Sequence, residues 1–300
     1  MSLTADAKIY DCIVIGAGPG GLQGALHLAR FNRDVLLIDR GGGRTRHAKH
    51  LVNFLGHSHI GGSELIDTGL SQVKRFGVEL IRTKVDAVTK EEYFRVQTKD
   101  REYCSKFVIG ASGGRDNIPH LKNFGPYFAE SIFTCVACDG YLTTGKKLVI
   151  LGNSAESIRL ALGMKQMYTD DITLIMTDSE PPQGTPEVLA EENIQLIQGR
   201  AVEILGTEKL TGVKLADSAT VEAETVMLSF GATLNDSYLQ NLGLKRNETD
   251  GKYLVNAHFE SSLPALYLTG FLCQGHAQAI IAAGQGAIVA IDINQRLLGL

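Results

Sequence analysis

The sequence predicts an α/β protein built of two Rossmann-like, three-layer (ββα) domains. Three observations carry this. The chain has 300 residues, too many for one compact core of ordinary size. Near its start an apolar segment runs into a glycine-rich turn and then into a helix-periodic segment. A second strand, turn and helix pattern recurs from residue 147.

Residues 10–15 are a short, mostly apolar run suited to a buried parallel strand, and Cys12 within it is a core thiol. The run leads into Gly16-Ala17-Gly18-Pro19-Gly20-Gly21, after which Leu22, Ala25, Leu26 and Ala29 recur at helical spacing. Residues 35–38 form the next apolar strand, and Asp39 ends it 18 residues after Gly21. Strand, Gly-x-Gly-x-x-Gly, helix, strand and acid together make a dinucleotide-binding fingerprint. Gly16 permits the tight turn, Gly18 lets backbone N–H groups approach a pyrophosphate, and Gly21 lets the helix pack close to the strand. The helix N-terminus then faces phosphate charge, and Asp39 accepts from a ribose hydroxyl. Arg40, Arg44, Arg46 and Lys49 form a basic loop around the phosphates. Residues 84–106 read as a β-meander that carries Cys104.

Composition excludes several classes of function. Hydrophobic residues make up 44% and charged residues 21%, the balance of a soluble globular enzyme. A net charge of −4 offers no attraction to nucleic acid or acidic membranes. No apolar run reaches the roughly 18–20 residues that span a bilayer. Five cysteines, an odd number, argue against a secreted disulfide framework. No basic and apolar leader opens the chain, so a reducing, cytoplasmic compartment is expected.

Cys135-Val136-Ala137-Cys138-Asp139-Gly140 is the segment richest in chemistry. Two thiols at this spacing can close and reopen a disulfide, and such pairs often carry lowered thiol pKa values. Asp139 supplies a proton donor and acceptor beside them. Half a zinc site is the alternative, but zinc takes four ligands and Cys12, Cys104 and Cys273 stand singly. His47, His50, His57 and His59 cluster without a ligand spacing, so no metal site is expected.

With these motifs in place, nearly the whole chain resembles the low-molecular-weight thioredoxin reductases. Their FAD domain is similar in residues 53–56 and 60–65, in the strand at 107–115, and in the returning strand at 263–270. The segment from Gln278 and Ala279 to Gly286 resembles their flavin-capping helix. The resemblance implies FAD as cofactor, held by residues 1–116 and 247–300, with Asn53, Gly270, Phe271, Gln278 and Ala279 bordering it. It implies that residues 117–246 are an inserted domain carrying the redox pair. Within that pair it implies that Cys138 exchanges electrons with the flavin. Cys135 then attacks the disulfide of a thioredoxin-like protein, and Asp139 protonates the leaving thiolate. It further implies a homodimer. Phe271 departs from the pattern, because the family carries an Asp there against the ribityl or phosphate part of FAD. Phe271 is either packing or a reshaping of the flavin edge. Cys273 reads as a buried thiol, and His276 either caps the final helix or touches flavin.

The insert has its own strand at 147–151, a turn from Gly152 to Ser157 and a strand at 172–176. Ser154 and Ser157 stand where the fingerprint asks for small Gly or Ala. No Lys or Arg lies between Lys165 and Arg200, while seven acids do. A phosphate dianion would be repelled there, so NADPH is not expected to bind. NADH is less firmly excluded, since Asp178 can accept from a ribose hydroxyl. The resemblance therefore runs most strongly to members without nucleotide motifs, the ferredoxin-dependent flavin and the deeply rooted thioredoxin reductases. A ferredoxin near −400 mV lies about 130 mV below a thioredoxin near −270 mV. That gap is worth about 6 kcal/mol for two electrons. The basic loop at Arg40–Lys49 would then double as a docking patch for an acidic ferredoxin. Two alternatives remain at this point. One is a flavin-dependent dithiol oxidase that passes electrons to oxygen, and the other is a non-catalytic flavoprotein redox sensor.

Overall fold

The structure is a computed structural model that describes residues 8–177 and 180–300. Asp178, the residue expected to be able to accept from an NADH ribose hydroxyl, lies outside them. The chain divides into two compact units, one up to Arg115 and again from Thr233, the other Asp116–Ala232.

In the first unit β1 (Ile9–Ile15) and β2 (Val35–Ile38) pair parallel, with α1 (Pro19–Arg30) between them in sequence. α2 (Gly62–Arg75) leads to β3 (Glu79–Ile81), which adds to β2. β4 (Val85–Lys90), β5 (Phe94–Thr98) and β6 (Glu102–Gly110) form an antiparallel meander, and β6 also pairs parallel with β1. The strand period of two decides where the side chains go. Cys12 and Val14 pack with Leu22, Leu28 and Ile66 on the helical side. Ile13 and Ile15 pack with Phe94 and Val96 on the meander side. Both faces are covered, which is why β1 reads mostly apolar, with Asp11 the one charged residue in it.

β7 (Gly114–Asp116) carries the chain out of this unit. The second unit repeats the architecture. β8 (Ile132–Phe133) and α3 (Val136–Asp139) precede β9 (Leu148–Gly152). α4 (Ala155–Met167), β10 (Ile172–Met176), α5 (Thr185–Glu191) and β11 (Gln195–Gln198) follow. β12 (Ala201–Gly206), β13 (Leu210–Leu215) and β14 (Thr220–Glu222) make a separate antiparallel sheet, and β15 (Thr225–Ser229) closes the parallel one in the order β11-β10-β9-β15-β8. Ile150 and Leu174 face Ala161 and Met164 of α4, and Leu151 and Ile175 face Ile204 and Val213 of the antiparallel sheet.

β16 (Ala232–Leu234) pairs with β7. β17 (Leu266–Leu268) then joins β6 in parallel, and α6 (Ala279–Leu298) ends the chain. The first unit thus regains the chain at Thr233, not at residue 247 as expected. Residues 237–242 form a 3-10 turn that buries Tyr238 and Leu239 in the meander-side core. Asp236 is bonded to Arg246 at 2.6 Å and to the Tyr253 hydroxyl at 3.0 Å, which ties the segment there.

α1 lies against α6 with almost no side chain between them. A Cβ on Gly286 would stand 2.1 Å from the Gly20 carbonyl oxygen, and one on Gly24 would stand 3.4 Å from the Gly286 oxygen. Gly286→Ala is therefore expected to destabilise the first unit by at least about 2 kcal/mol. Gly163→Ala should do the reverse, by about 0.5–1 kcal/mol, because it lies inside α4 with its nearest neighbour, Met167 Cε, at 3.8 Å. Denaturant midpoints of the two variants check both signs.

Candidate active site

A groove of about 510 Å3 opens in the first unit at the C-terminal ends of β1, β2 and β6. Crevices at the carboxyl ends of parallel strands are where this architecture takes ligands. Gly16 turns the chain at φ +105°, and a Cβ there would meet the Ala111 oxygen at 2.5 Å. A Cβ on Gly21 would meet the Gly16 oxygen at 2.0 Å, so α1 rests on the end of β1 by backbone contact. Gly20 is bare against Thr269 Oγ1, at 2.7 Å from such a Cβ. Gly18 differs. Its nearest protein atom would be 3.8 Å away, so its missing side chain serves whatever enters the groove.

α1 begins with Gly18 at its N-cap and Pro19 at its first position, with no side-chain cap and no acid in its first turn. α6 begins in the same way after Gln278, and Gln278 and Ala279 also line the groove. Two helix N-termini thus turn positive ends and unsatisfied N–H groups toward one space. Arg40, Arg44 and Arg46 add cationic side chains to its wall. The groove's two acids are already engaged. Asp39 accepts from the N–H groups of Ala17 and Gly41, each at 3.0 Å, and pairs with Arg82. Asp236 is held by Arg246 and Tyr253. Thr269, in the groove wall, is buried with no hydrogen-bond partner for its hydroxyl.

The remaining residues expected around a cofactor fall as follows. Gly270 lines the groove at φ +66°, with its N–H donated to Gln285 Oε1 at 2.6 Å. Phe271 also lines it, pressed so closely on Gly114 that a Cβ there would be 2.5 Å from its ring. Arg44 lies 5.2 Å and Lys252 4.9 Å from the ring centre. An aromatic ring flanked by two cations therefore stands in the groove wall directly after Gly270. Asn53 is not in the wall itself but reaches it indirectly, donating to Gln278 Oε1 at 3.0 Å. Thr269 and Gln285 were missed from sequence. Thr269 precedes the Gly270 turn directly, whereas nothing in sequence distinguishes Gln285 from other polar helix residues.

These features fit a dinucleotide. The bare Gly18, the two uncapped helix ends, the arginines and the unpaired Thr269 hydroxyl suit a pyrophosphate. Asp39 has lone pairs left for a ribose hydroxyl.

In the second unit Cys135 and Cys138 form a disulfide with Cα atoms 5.3 Å apart. Cys135 is the N-cap of the short α3, and its carbonyl accepts from Cys138 N–H at 3.3 Å and Asp139 N–H at 3.0 Å. Both half-cystines and Asp139 are half-buried, and Ala137 between them is exposed. The pair is thus fixed by a hydrogen-bonded turn and still reachable. No cluster of three or more metal-ligating side chains occurs among the described residues. His50 and His59 instead bond each other at 2.7 Å on the surface.

An N-terminal dinucleotide groove and a Cys-x-x-Cys disulfide in a second Rossmann-like unit define a flavoprotein disulfide oxidoreductase type of chain. The model of the pyridine nucleotide-disulphide oxidoreductases matches residues 10–286, and the chain belongs to that family. It is 26% identical to a thioredoxin reductase of Bacillus subtilis over 307 residues, covering 97% of this chain and 95% of that one. The crystal structure of HlmI superposes with a TM-score of 0.90 at 29% identity, covering 100% of this chain and 95% of that one. Thioredoxin reductase from Streptococcus pyogenes superposes at 0.88, covering 97% and 99%; at 24% identity this likeness concerns the fold alone. The chain is an enzyme of the oxidoreductase class, thioredoxin-reductase-like, with FAD as cofactor.

Two outcomes are expected. Gly18→Ala should leave the melting temperature of the apoprotein unchanged, since no protein atom resists the methyl group. It should weaken FAD binding at least about tenfold, read by flavin fluorescence. The second concerns the free thiols. Burial pushes the Cys12 and Cys104 thiols up and raises Cys273 to about 11. Iodoacetamide at pH 8 should therefore label no cysteine in the oxidised native protein, and only Cys135 and Cys138 after reduction. Peptide mass spectrometry locates the labels.

Proposed function

We propose that this enzyme passes electron pairs from FAD through Cys135–Cys138 to the disulfide of a thioredoxin-like protein, using a donor other than NADPH. The closed and reachable Cys135–Cys138 bridge carries the reading. In the reduced enzyme the Cys135 thiolate attacks the partner disulfide. A mixed disulfide forms, and the first partner thiolate leaves with a proton from Asp139. Cys138 then attacks Cys135, which frees the second partner thiol and restores the bridge. Two electrons and two protons reach the partner in each cycle. Bound FAD supplies the exchange between single-electron donors and this pair.

The second unit supports a donor other than NADPH. Where Gly21 rests on Gly16 in the first unit, Ser157 meets Gly152 in the second. Its hydroxyl bonds the Ser229 oxygen at 3.2 Å and Ser229 Oγ at 3.1 Å. A hydrogen-bonded side chain thus fills the space between strand end and helix. Glu156, in the first turn of α4 and paired with Arg159, puts negative charge where a pyrophosphate would sit. Lys165 is spent on Asp170 at 2.9 Å. A ferredoxin satisfies the energetics, being about 130 mV more reducing than thioredoxin. The same filled turn suits the reverse flow, in which a small dithiol reduces the pair and oxygen takes the electrons.

Anaerobic titration of the yellow protein decides between these. Reduced ferredoxin should bleach the flavin and drive thioredoxin reduction, and micromolar NADPH should leave the colour unchanged. Bleaching by small dithiols, with oxygen consumed on re-aeration and no thioredoxin turnover, would establish the oxidase. Rapid bleaching by NADPH would refute both. Cys138→Ser should retain FAD and lose at least about 100-fold of disulfide turnover.

A further inference from the structure

We propose that Tyr168 is a positioning residue for the Cys135–Cys138 pair. Its ring holds the turn that keeps the two sulfurs within bonding reach when the bridge is open. Gly140, two residues after Cys138, is buried. A Cβ there would stand 2.7 Å from Cε2 and 3.1 Å from Cζ of Tyr168, and 3.2 Å from Val136 Cγ1. The backbone that leaves the redox pair thus lies directly on the Tyr168 ring. Gly140 has φ −54° and ψ −37°, a helical conformation open to any residue. Closeness to the ring, and not backbone conformation, is what requires a glycine there.

Tyr168 is itself well fixed. It ends α4, donating its N–H to the Met164 carbonyl at 2.8 Å, and its own carbonyl accepts from Gly145 N–H at 3.0 Å. Beside it the Thr169 hydroxyl donates to the Lys146 carbonyl at 2.7 Å. The buried Thr143 hydroxyl donates to the Gly140 carbonyl at 2.7 Å and so ties the loop to the redox turn. Val136, Leu142 and Tyr168 all pack against the core that contains Met164. The end of α4 is therefore a firm seat. α3 has no such firmness of its own. It has four residues, and its turn rests on two N–H groups donated to the Cys135 carbonyl. A single helical turn does not persist alone in water. Without a seat, opening the bridge would let Cys135 and Cys138 drift apart. Seated on the ring, they keep the Cα separation of 5.3 Å, inside the range of roughly 4.4–6.8 Å that a bridge needs. Two thiols held this close meet at high effective concentration, and the bridge closes again readily. The seat thus favours the closed form at equilibrium and speeds the attack of Cys138 on a mixed disulfide at Cys135.

This inference rests on the redox reading of the pair, but its test needs neither electron donor nor partner protein. Turnover in Cys138→Ser bears on that reading alone. The FAD-loaded protein is equilibrated without oxygen against mixtures of glutathione and its disulfide, and free thiols are trapped by alkylation and weighed. Two glutathione thiols give the bridge two electrons and two protons and leave as one glutathione disulfide, so the trapped ratio reads the equilibrium. Tyr168→Leu keeps apolar bulk without the ring. It should favour the open dithiol at least about tenfold, a rise of about 30 mV in potential. Tyr168→Phe should match the wild type. Gly140→Ala displaces the ring and should shift the equilibrium the same way. Combined with Tyr168→Leu it should shift it by less than the two separate free energies added. A residue that only stabilised the unit would lower the melting temperature on replacement and leave this equilibrium in place. In the wild type, amide exchange of residues 136–141 should be as slow after reduction as before, because the ring holds the turn. An unchanged equilibrium in Tyr168→Leu, a Tyr168→Phe that behaves like it, additive effects, or a turn that exchanges freely once reduced overturns the proposal.

Discussion

The approach of α1 to the end of β1, backbone against backbone, is the contact on which the first unit depends. A side chain on Gly21 would strike the Gly16 carbonyl, and one on Gly16 would strike the Ala111 carbonyl at the end of β6. Bringing the helix this near does two things at once. It aims the uncapped N-terminus of α1 at the groove, and it lets the other side of α1 press on α6 through Gly20, Gly24 and Gly286. α6 in turn brings its own N-terminus to the same groove. The site is thus a consequence of how two helices pack, and the glycines serve packing before they serve a ligand. Gly18, with room to spare, is the exception that points outward.

The second unit uses the same layers with a different residue at the decisive place. Its sheet is parallel, helices cover one face and an antiparallel sheet the other. At the strand-to-helix turn, however, Ser157 replaces backbone contact with a hydrogen-bonded side chain. Packing survives because the serine is buried and satisfied. What changes is the field at the helix N-terminus, which here meets Glu156. The two units therefore share an architecture while building this turn from different residues.

Much of this was legible in sequence, for physical reasons that differ by element. β1, β2 and β10 are buried on both faces, so their apolar runs stand out against polar turns. The final helix after Gln278 and the glycine fingerprint were equally plain. β12 to β14 were not, because strands covered on one side only alternate polar and apolar residues over few positions. α5 escaped because it is seven residues long. The far boundary of the insert was misplaced because residues 233–246 are held by tertiary contacts of Tyr238, Leu239 and Asp236, which no local pattern announces. In the site, the glycines and Asp39 were readable from spacing. Thr269 and Gln285 were not, since a lone hydroxyl or amide gains meaning only from what surrounds it.

Electrostatics separates the two Rossmann-like units more sharply than shape does. In the first, each groove acid is matched by an arginine, Asp39 by Arg82 and Asp236 by Arg246. Arg40, Arg44 and Arg46, the last paired with Asp67 at 2.7 Å, line the same space together with two helix N-termini. Phe271 extends the same trend, since a ring flanked by Arg44 and Lys252 brings cations where a carboxylate would bring an anion. In the second, the stretch from Lys165 to Arg200 holds acids with no basic residue between its ends. A chain of net charge −4 has thus gathered cationic side chains around the groove of its first unit. In the first unit the layers of the fold supply the crevice, and the charges around it suit a dinucleotide.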